Sequence, residues 1–194
     1  MKYNQQLMET AVVYSRKSYC NRNKVGAVLA KDGRIISCGY NGTITGFENN
    51  CEGEIVICPN CGKRLSKDKC TKELNKLGSD TFYTLTCAAC GESRVINESD
   101  ITIKTTDFVL HAEQNAIMFC AKNGISTEGC DLFVTTSPCS TCAKLIAQAG
   151  IKKVIYLDEY KDTDGLDLLK EVGVEVQKYK GLLFKWIDVR NPDL

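Results

Sequence analysis

Little in this sequence leans to one side. Over 194 residues, 25 lysines and arginines face 24 aspartates and glutamates, a formal charge of +1. A long nucleic-acid groove needs a basic face, and this balance offers none. No apolar run approaches the roughly 20 residues that a membrane span requires. The opening MKYNQQLMETAVVYSRK mixes polar and apolar residues at helical spacing and lacks the apolar core of a signal peptide. A cytosolic setting is therefore expected. Histidine is all but missing: there is one, His111.

Cysteine, by contrast, is plentiful, at twelve. In a secreted chain that number would suggest disulfides. In a reducing compartment the readings are metal ligands, small buried hydrophobes or a nucleophile. Three pairs stand at C-x-x-C spacing: Cys58/Cys61, Cys87/Cys90 and Cys139/Cys142. The other six, Cys20, Cys38, Cys51, Cys70, Cys120 and Cys130, are scattered, and most are expected to be core or incidental residues.

Residues 3–18 read as an amphipathic helix, with Leu7, Ala11, Val12 and Tyr14 favouring one side. VGAVLA (25–30), KDGR and IISCGY (35–40) read as strand, tight turn and strand. HAEQNAIMFCAKNG has helical spacing and stops at Asn123-Gly124. CDLFVTTS (130–137) is a strand, and PCSTCAKLIAQAG a helix with Pro138 in its first turn and Gly150 at its end. KVIYLD (153–158), DGLDLLKEVG and VEVQKY then give strand, helix and strand. The order implies an α/β fold, a mixed sheet with helices on both faces. The tail GLLFKWIDV is apolar enough to dock on the body or on another subunit.

Between residues 52 and 104 the character changes. The stretch is charged, poor in periodic segments, and contains two C-x-x-C pairs, each followed by glycine. It reads as an insertion in a domain spanning 1–194. C-P-N-C-G and C-A-A-C-G each form a tight turn whose amides can bond thiolate sulfur, with glycine permitting the turn. Two such knuckles, Cys58/Cys61 and Cys87/Cys90, make a closed zinc site of four thiolates with no open position for chemistry. The 25 residues between the pairs exceed the common gap of about 15–20, and a hairpin can fill it. Cys51 is a spare ligand here. The alternative is a set of unrelated buried cysteines.

Cys139 and Cys142 suggest a different kind of site. At positions i and i+3 near a helix start, both sulfurs lie on one face, and the helix N-terminus favours thiolate. Two sulfurs leave a zinc shell incomplete, and His111 is the chain's only histidine to add to it. His111 too opens a helix, with Glu113 two residues on. Three protein ligands and an unfilled fourth position define a catalytic zinc site, in which bound water acidifies toward neutrality. A carboxylate near the metal but not bound to it can move protons, the place expected for Glu113. Two other readings are a hydrogen-bonded structural histidine and a redox C-x-x-C pair; the redox pair would not require His111-Ala112-Glu113.

H-x-E followed by P-C-x-x-C resembles the signature of the zinc-dependent nucleobase deaminases, which hydrolyse the exocyclic amine of cytosine or adenine. SYCNRNKVGAVLAKDGRIISCGYNG, HAEQNAIMF and SPCSTCAKLIAQAGIKKVIY together resemble the deoxycytidylate (dCMP) branch, including its bacteriophage-type members. That resemblance implies a three-layer α/β/α cytidine-deaminase-like fold with a mixed five-stranded sheet, plus the zinc-ribbon-like insertion. It implies His111, Cys139 and Cys142 as ligands of a catalytic Zn2+ and Glu113 as general acid and base. Asn41 in GYNG matches the residue that holds the sugar hydroxyl, and Ala27 offers backbone contacts to the pyrimidine. Ser137 accepts from the leaving amine through its carbonyl, and Tyr160 borders the base. Arg22 is the first candidate for the phosphate, since a guanidinium binds phosphate oxygens bidentately, and Lys24 the second. The implied reaction turns dCMP into dUMP and ammonia for thymidylate synthesis. The branch further implies a homo-oligomer, often a hexamer, activated by dCTP with Mg2+ and inhibited by dTTP. The insertion is not shared by all members, so regulation here can differ.

Two other functions fit parts of the sequence. A cytidine, deoxycytidine or tRNA adenosine deaminase would share the zinc motifs, although balanced charge speaks against an RNA substrate. A zinc-ribbon interaction module on a deaminase scaffold would need the catalytic residues only as relics. Intact His111, Glu113, Cys139 and Cys142 argue against that.

Overall fold

Residues 26–40 carry the strongest local instructions. Gly26–Lys31 (β1) is buried at every position but its last, as an interior strand covered on both faces must be. Asp32 and Gly33 follow with φ of 51° and 76°, the left-handed pair that turns a two-residue hairpin. Arg34–Tyr40 (β2) then returns antiparallel to β1. The structure, a computed structural model, describes residues 3–66 and 82–183. Contacts divide it into two compact units, Met1–Asn50 with Phe108–Leu194 and, separately, Cys51–Asp107.

The first unit is built on one mixed sheet. Asp131–Thr136 (β10), Lys153–Asp158 (β11) and Glu175–Lys178 (β12) join it, in the order β12-β11-β10-β1-β2. β1 runs antiparallel to β2 and β10, whereas β10, β11 and β12 are parallel. Parallel strands need crossovers, supplied by Ser140–Gln148 (α3) and Asp164–Glu171 (α4). Strand alternation sorts the core into two layers. Ala27, Leu29, Leu132, Val134, Val154 and Tyr156 face Ala112–Lys122 (α2), α3 and α4. Val28, Ala30, Phe133 and Ile155 face Leu7, Met8 and Ala11 of Asn4–Ser15 (α1). This is the expected three-layer α/β/α arrangement with a five-stranded sheet. A short ladder of Gly42–Thr43 (β3) against Val109–Leu110 (β9) leads the chain into α2.

The second unit is thinner. Glu52–Ile57 (β4) lies between Arg64–Ser66 (β5) and Thr102–Thr105 (β8), and Phe82–Thr86 (β6) pairs with Ser93–Asn97 (β7). Its apolar cluster consists of Val56 and Ile96, with Leu65 and Ile101 against them. The tail beyond residue 183 and Cys70, on both of which the sequence raised expectations, lie outside the described residues. No helix among the described residues is long and apolar enough to cross a membrane.

One close approach fixes where α2 lies. A Cβ on Gly39 would overlap the Ala112 carbonyl oxygen and stand 2.6 Å from the Ala116 amide nitrogen. Backbone therefore packs on backbone at the very start of α2. Gly39→Ala is expected to cost about 1–3 kcal/mol by overpacking, or about 2–4 °C of Tm per kcal/mol at this chain length. Gly42→Ala is the control, because its added methyl meets only the Tyr40 ring, at 4.0 Å. Equal melting of the two variants would refute the close packing.

Candidate active site

Two helix starts meet at one end of the sheet. His111 is the N-cap of α2 and Cys139 the N-cap of α3, both with extended backbone. Cys142 follows one turn into α3. His111 Nδ1 stands 3.6 Å from Cys139 Sγ and 3.3 Å from Cys142 Sγ. Bond lengths of about 2.3 Å to sulfur and 2.0–2.1 Å to nitrogen place tetrahedral neighbours roughly 3.6–3.8 Å apart. The donor set thus fits zinc, with three of four vertices supplied by protein.

The N-caps are held by their own neighbours. The His111 amide donates to Gln114 Oε1 at 2.7 Å, a capping bond that leaves the imidazole to face the sulfurs. Asn115 Nδ2 donates to the Tyr40 carbonyl at 2.7 Å, tying α2 to the end of β2. On the other side, a Cβ on Gly165 would overlap the Pro138 carbonyl oxygen and stand 2.7 Å from the Cys139 carbonyl carbon. The start of α4 thereby braces the cysteine turn.

Electrostatics set this site apart. Glu113 is 3 % exposed, and burial lifts its carboxyl from the ordinary range to about 7. In the metal-free protein the hydrogen bond with Cys142 pulls the Cys139 thiol down to about 3, and His111 helps against the opposing effect of burial. Cys142 is pushed up, first by its bond to Cys139, then by burial and the Glu113 carboxylate. The bond to Cys139 also raises His111, against burial. The pair of thiols holds one proton between them, on Cys142.

The second cluster closes on itself. Cys58, Cys61, Cys87 and Cys90 place their sulfurs within 4.8 Å of one another, with Cys58–Cys90 and Cys61–Cys87 each at 3.7 Å. The two knuckles repeat one backbone pattern. Gly62 N donates to the Cys58 carbonyl and Gly91 N to that of Cys87, both at 2.8 Å. The Ala89 amide, bonding to sulfur, leads the causes that hold the Cys87 thiol down to about 7. Four sulfurs at tetrahedral spacing suit a closed zinc site. Cys51 is not among them.

The residues expected around a substrate fall into two sets. Asn41 and Ser137 are buried and already bonded to the chain: Asn41 to residues 23 and 25, and Ser137 Oγ as acceptor from the Tyr160 amide at 2.7 Å. Ala27 lies in mid-sheet between Gly39 and Val134, in the same core cluster as Ala112 and Cys142. Arg22 and Lys24 are exposed on the connection into β1. Tyr160 is half-buried after β11, with Lys161 Nζ 5.8 Å from its ring centre.

Gln114, Asn115 and Gly165 were not singled out from sequence. Only Gln114 had a local signal, three residues after an N-cap. Of the scattered cysteines, Cys120 and Cys130 are core residues, but Cys20 and Cys51 are disulfide-bonded. That corrects the expectation that most would be incidental.

Residues 1–158 match the model of the cytidine and deoxycytidylate deaminase zinc-binding region. The chain is 40 % identical over 179 residues to the deoxycytidylate deaminase of Enterobacteria phage T2, spanning 88 % of each. It is 31 % identical over 166 residues to the human deoxycytidylate deaminase, spanning 84 % of this chain and 70 % of the relative. Among solved structures it is similar to the dCMP deaminase of cyanophage S-TIM5 in complex with dCMP and dUMP. That likeness has a TM-score of 0.64 and 37 % identity, and covers 92 % of this chain and 97 % of that one. The chain belongs to the cytidine and deoxycytidylate deaminase zinc-binding family.

The purified protein is expected to hold two zinc ions per chain, one for each donor group, and Cys139→Ser only one. Because Cys142 must lose its proton to bind metal, affinity at the His111 site should rise with pH, and protons should be released on binding. Chelator competition between about pH 6 and pH 8, spanning the ordinary histidine range, would measure this. A pH-independent affinity would remove Cys142 from the ligand set.

Proposed function

We propose that this chain hydrolyses dCMP, giving dUMP and ammonia from dCMP and water. The observation that carries the proposal is a three-donor zinc geometry with one vertex open beside a buried, proton-holding Glu113. The substrate is supported by the 40 % identity to a phage deoxycytidylate deaminase and by the likeness to a relative solved with dCMP and dUMP.

His111, Cys139 and Cys142 would hold the zinc, which when bound supplies a Lewis acid that makes water nucleophilic near neutral pH. Glu113 handles the protons. With a carboxyl poised at about 7, it can take a proton from the attacking water and return it to the ring nitrogen, then assist the departing amine. Two protons from water thus end on nitrogen, and oxygen replaces the amino group at C4. Ala27 forms part of the packed floor below the ligands. The Ser137 carbonyl accepts from the leaving amine, Tyr160 borders the base, and Arg22, with Lys24 as second candidate, meets the phosphate.

The wider reading follows the same resemblance. The chain assembles as a homo-oligomer, a hexamer, activated by dCTP with Mg2+ and inhibited by dTTP. Residues 52–104 form a zinc-ribbon-like insertion within one deaminase domain, supported by the four-thiol cluster.

An ultraviolet assay should show turnover of dCMP well above deoxycytidine, rising with dCTP and magnesium. Equal turnover of deoxycytidine would overturn the phosphate contact. Glu113→Gln should keep its zinc and lose about 10²–10⁴-fold in kcat, the usual worth of general acid–base catalysis. A zinc-loaded variant with near-normal kcat would remove Glu113 from the reaction.

A further inference from the structure

Asn41 is 9 % exposed, and both ends of its amide are engaged by one stretch of backbone. Its Oδ1 accepts from the Val25 amide at 2.7 Å, and its Nδ2 donates to the Asn23 carbonyl at 2.8 Å. Its own amide donates to the Val25 carbonyl at 3.1 Å. The last register pair between β1 and β2 is Gly26 with Tyr40. Beyond that pair the Asn41 side chain stands in for a peptide group and carries the ladder two residues further. Asparagine alone suits this. Aspartate lacks the donor, glutamine is one methylene longer, and an aliphatic side chain has neither group.

The stretch so held lies between Arg22 and the start of β1 and includes Lys24, the two cations proposed to face the phosphate. The residue before the clamp is tied in turn to the metal site, because the Tyr40 carbonyl accepts from Asn115, four positions beyond His111. A continuous set of hydrogen bonds therefore runs from the helix that begins at the zinc ligand to the cationic connection.

We infer that Asn41 is a positioning residue, which acts on the substrate through the backbone of residues 23–25 rather than by holding the sugar hydroxyl. This rests on the deaminase reading above and refines one residue within it. The two can fail separately: wild-type turnover of dCMP tests the reaction, and Asn41 variants test the clamp.

The experiment compares wild type with Asn41→Ala, each loaded with zinc, on dCMP and on its 2′,3′-dideoxy analogue. Loss of the clamp should raise KM for both substrates by the same factor, about tenfold, as one lost buried hydrogen-bonding group would. The change in kcat should be smaller. Hydrogen exchange of the segment around residues 21–25 should quicken, while α2 and α3 stay protected. A loss confined to dCMP, with the dideoxy analogue unaffected, would mean direct sugar contact and overturn the inference. So would unchanged exchange around residue 25. A merely structural role would lower Tm and zinc content without moving KM per zinc-loaded molecule, and would overturn it too. If Asn41→Ala fails to fold, Asn41→Ser, which retains an acceptor, supplies the same readouts with a smaller expected rise in KM.

Discussion

Three soft donors must meet within about 3.6 Å of one another, the spacing tetrahedral zinc requires, and the arrangement of the larger unit follows from meeting that condition. His111 and Cys139 are N-caps of two different helices, so α2 and α3 must begin at the same end of the sheet and lean toward one point. Neither helix has slack. Gly39 lets the start of α2 sit directly on β2, and Gly165 lets the start of α4 press against the Pro138–Cys139 turn. The same arrangement aims the partial positive charge of two helix N-termini at the donors, which favours thiolate there.

Glu113 depends on that geometry as well. One turn from the ligand on α2, it is carried below the surface, where burial outweighs the nearby imidazole and raises its carboxyl to about 7. A solvated glutamate in the same sequence position would be ionised at neutral pH and could not deliver a proton. The packing that seats the ligands therefore also sets the acid–base group. Around it, Asn41 and Ser137 hold the connections at residues 23–25 and 160 by backbone hydrogen bonds. The rim of the site is thus tied to its floor.

The cysteine-rich unit meets a different demand. Val56 and Ile96 are its buried apolar cluster, with Leu65 and Ile101 partly covering them. So small a core supplies little hydrophobic stabilisation. Four sulfurs at tetrahedral spacing supply what apolar area does not, since metal binding in such units is folding free energy. Thiolates do unlike work in the two places. In one they complete a shell and exclude chemistry; in the other a histidine replaces one sulfur and a vertex is left open.

Much of this was legible along the chain because it is written in local spacing. Alternation and turn residues marked β1, its Asp32-Gly33 turn, β2, and the later strands and helices to within a few residues. H-x-E and the three C-x-x-C pairs named both donor sets, because cysteines three apart share a face whatever the fold. Only the tertiary structure decided what depends on distant pairs. It showed that Gly39 is a helix contact, that Gly165 braces the cysteine turn, and that Cys20 and Cys51 are disulfide-bonded. It also showed that the amide of Asn41 is taken up by a neighbouring connection. The reason is physical: a side chain's type and period are properties of the chain, but its hydrogen-bond partners and its desolvation are created when remote segments pack. Glu113 combines the two, since its position was readable in the sequence and its proton affinity came from burial.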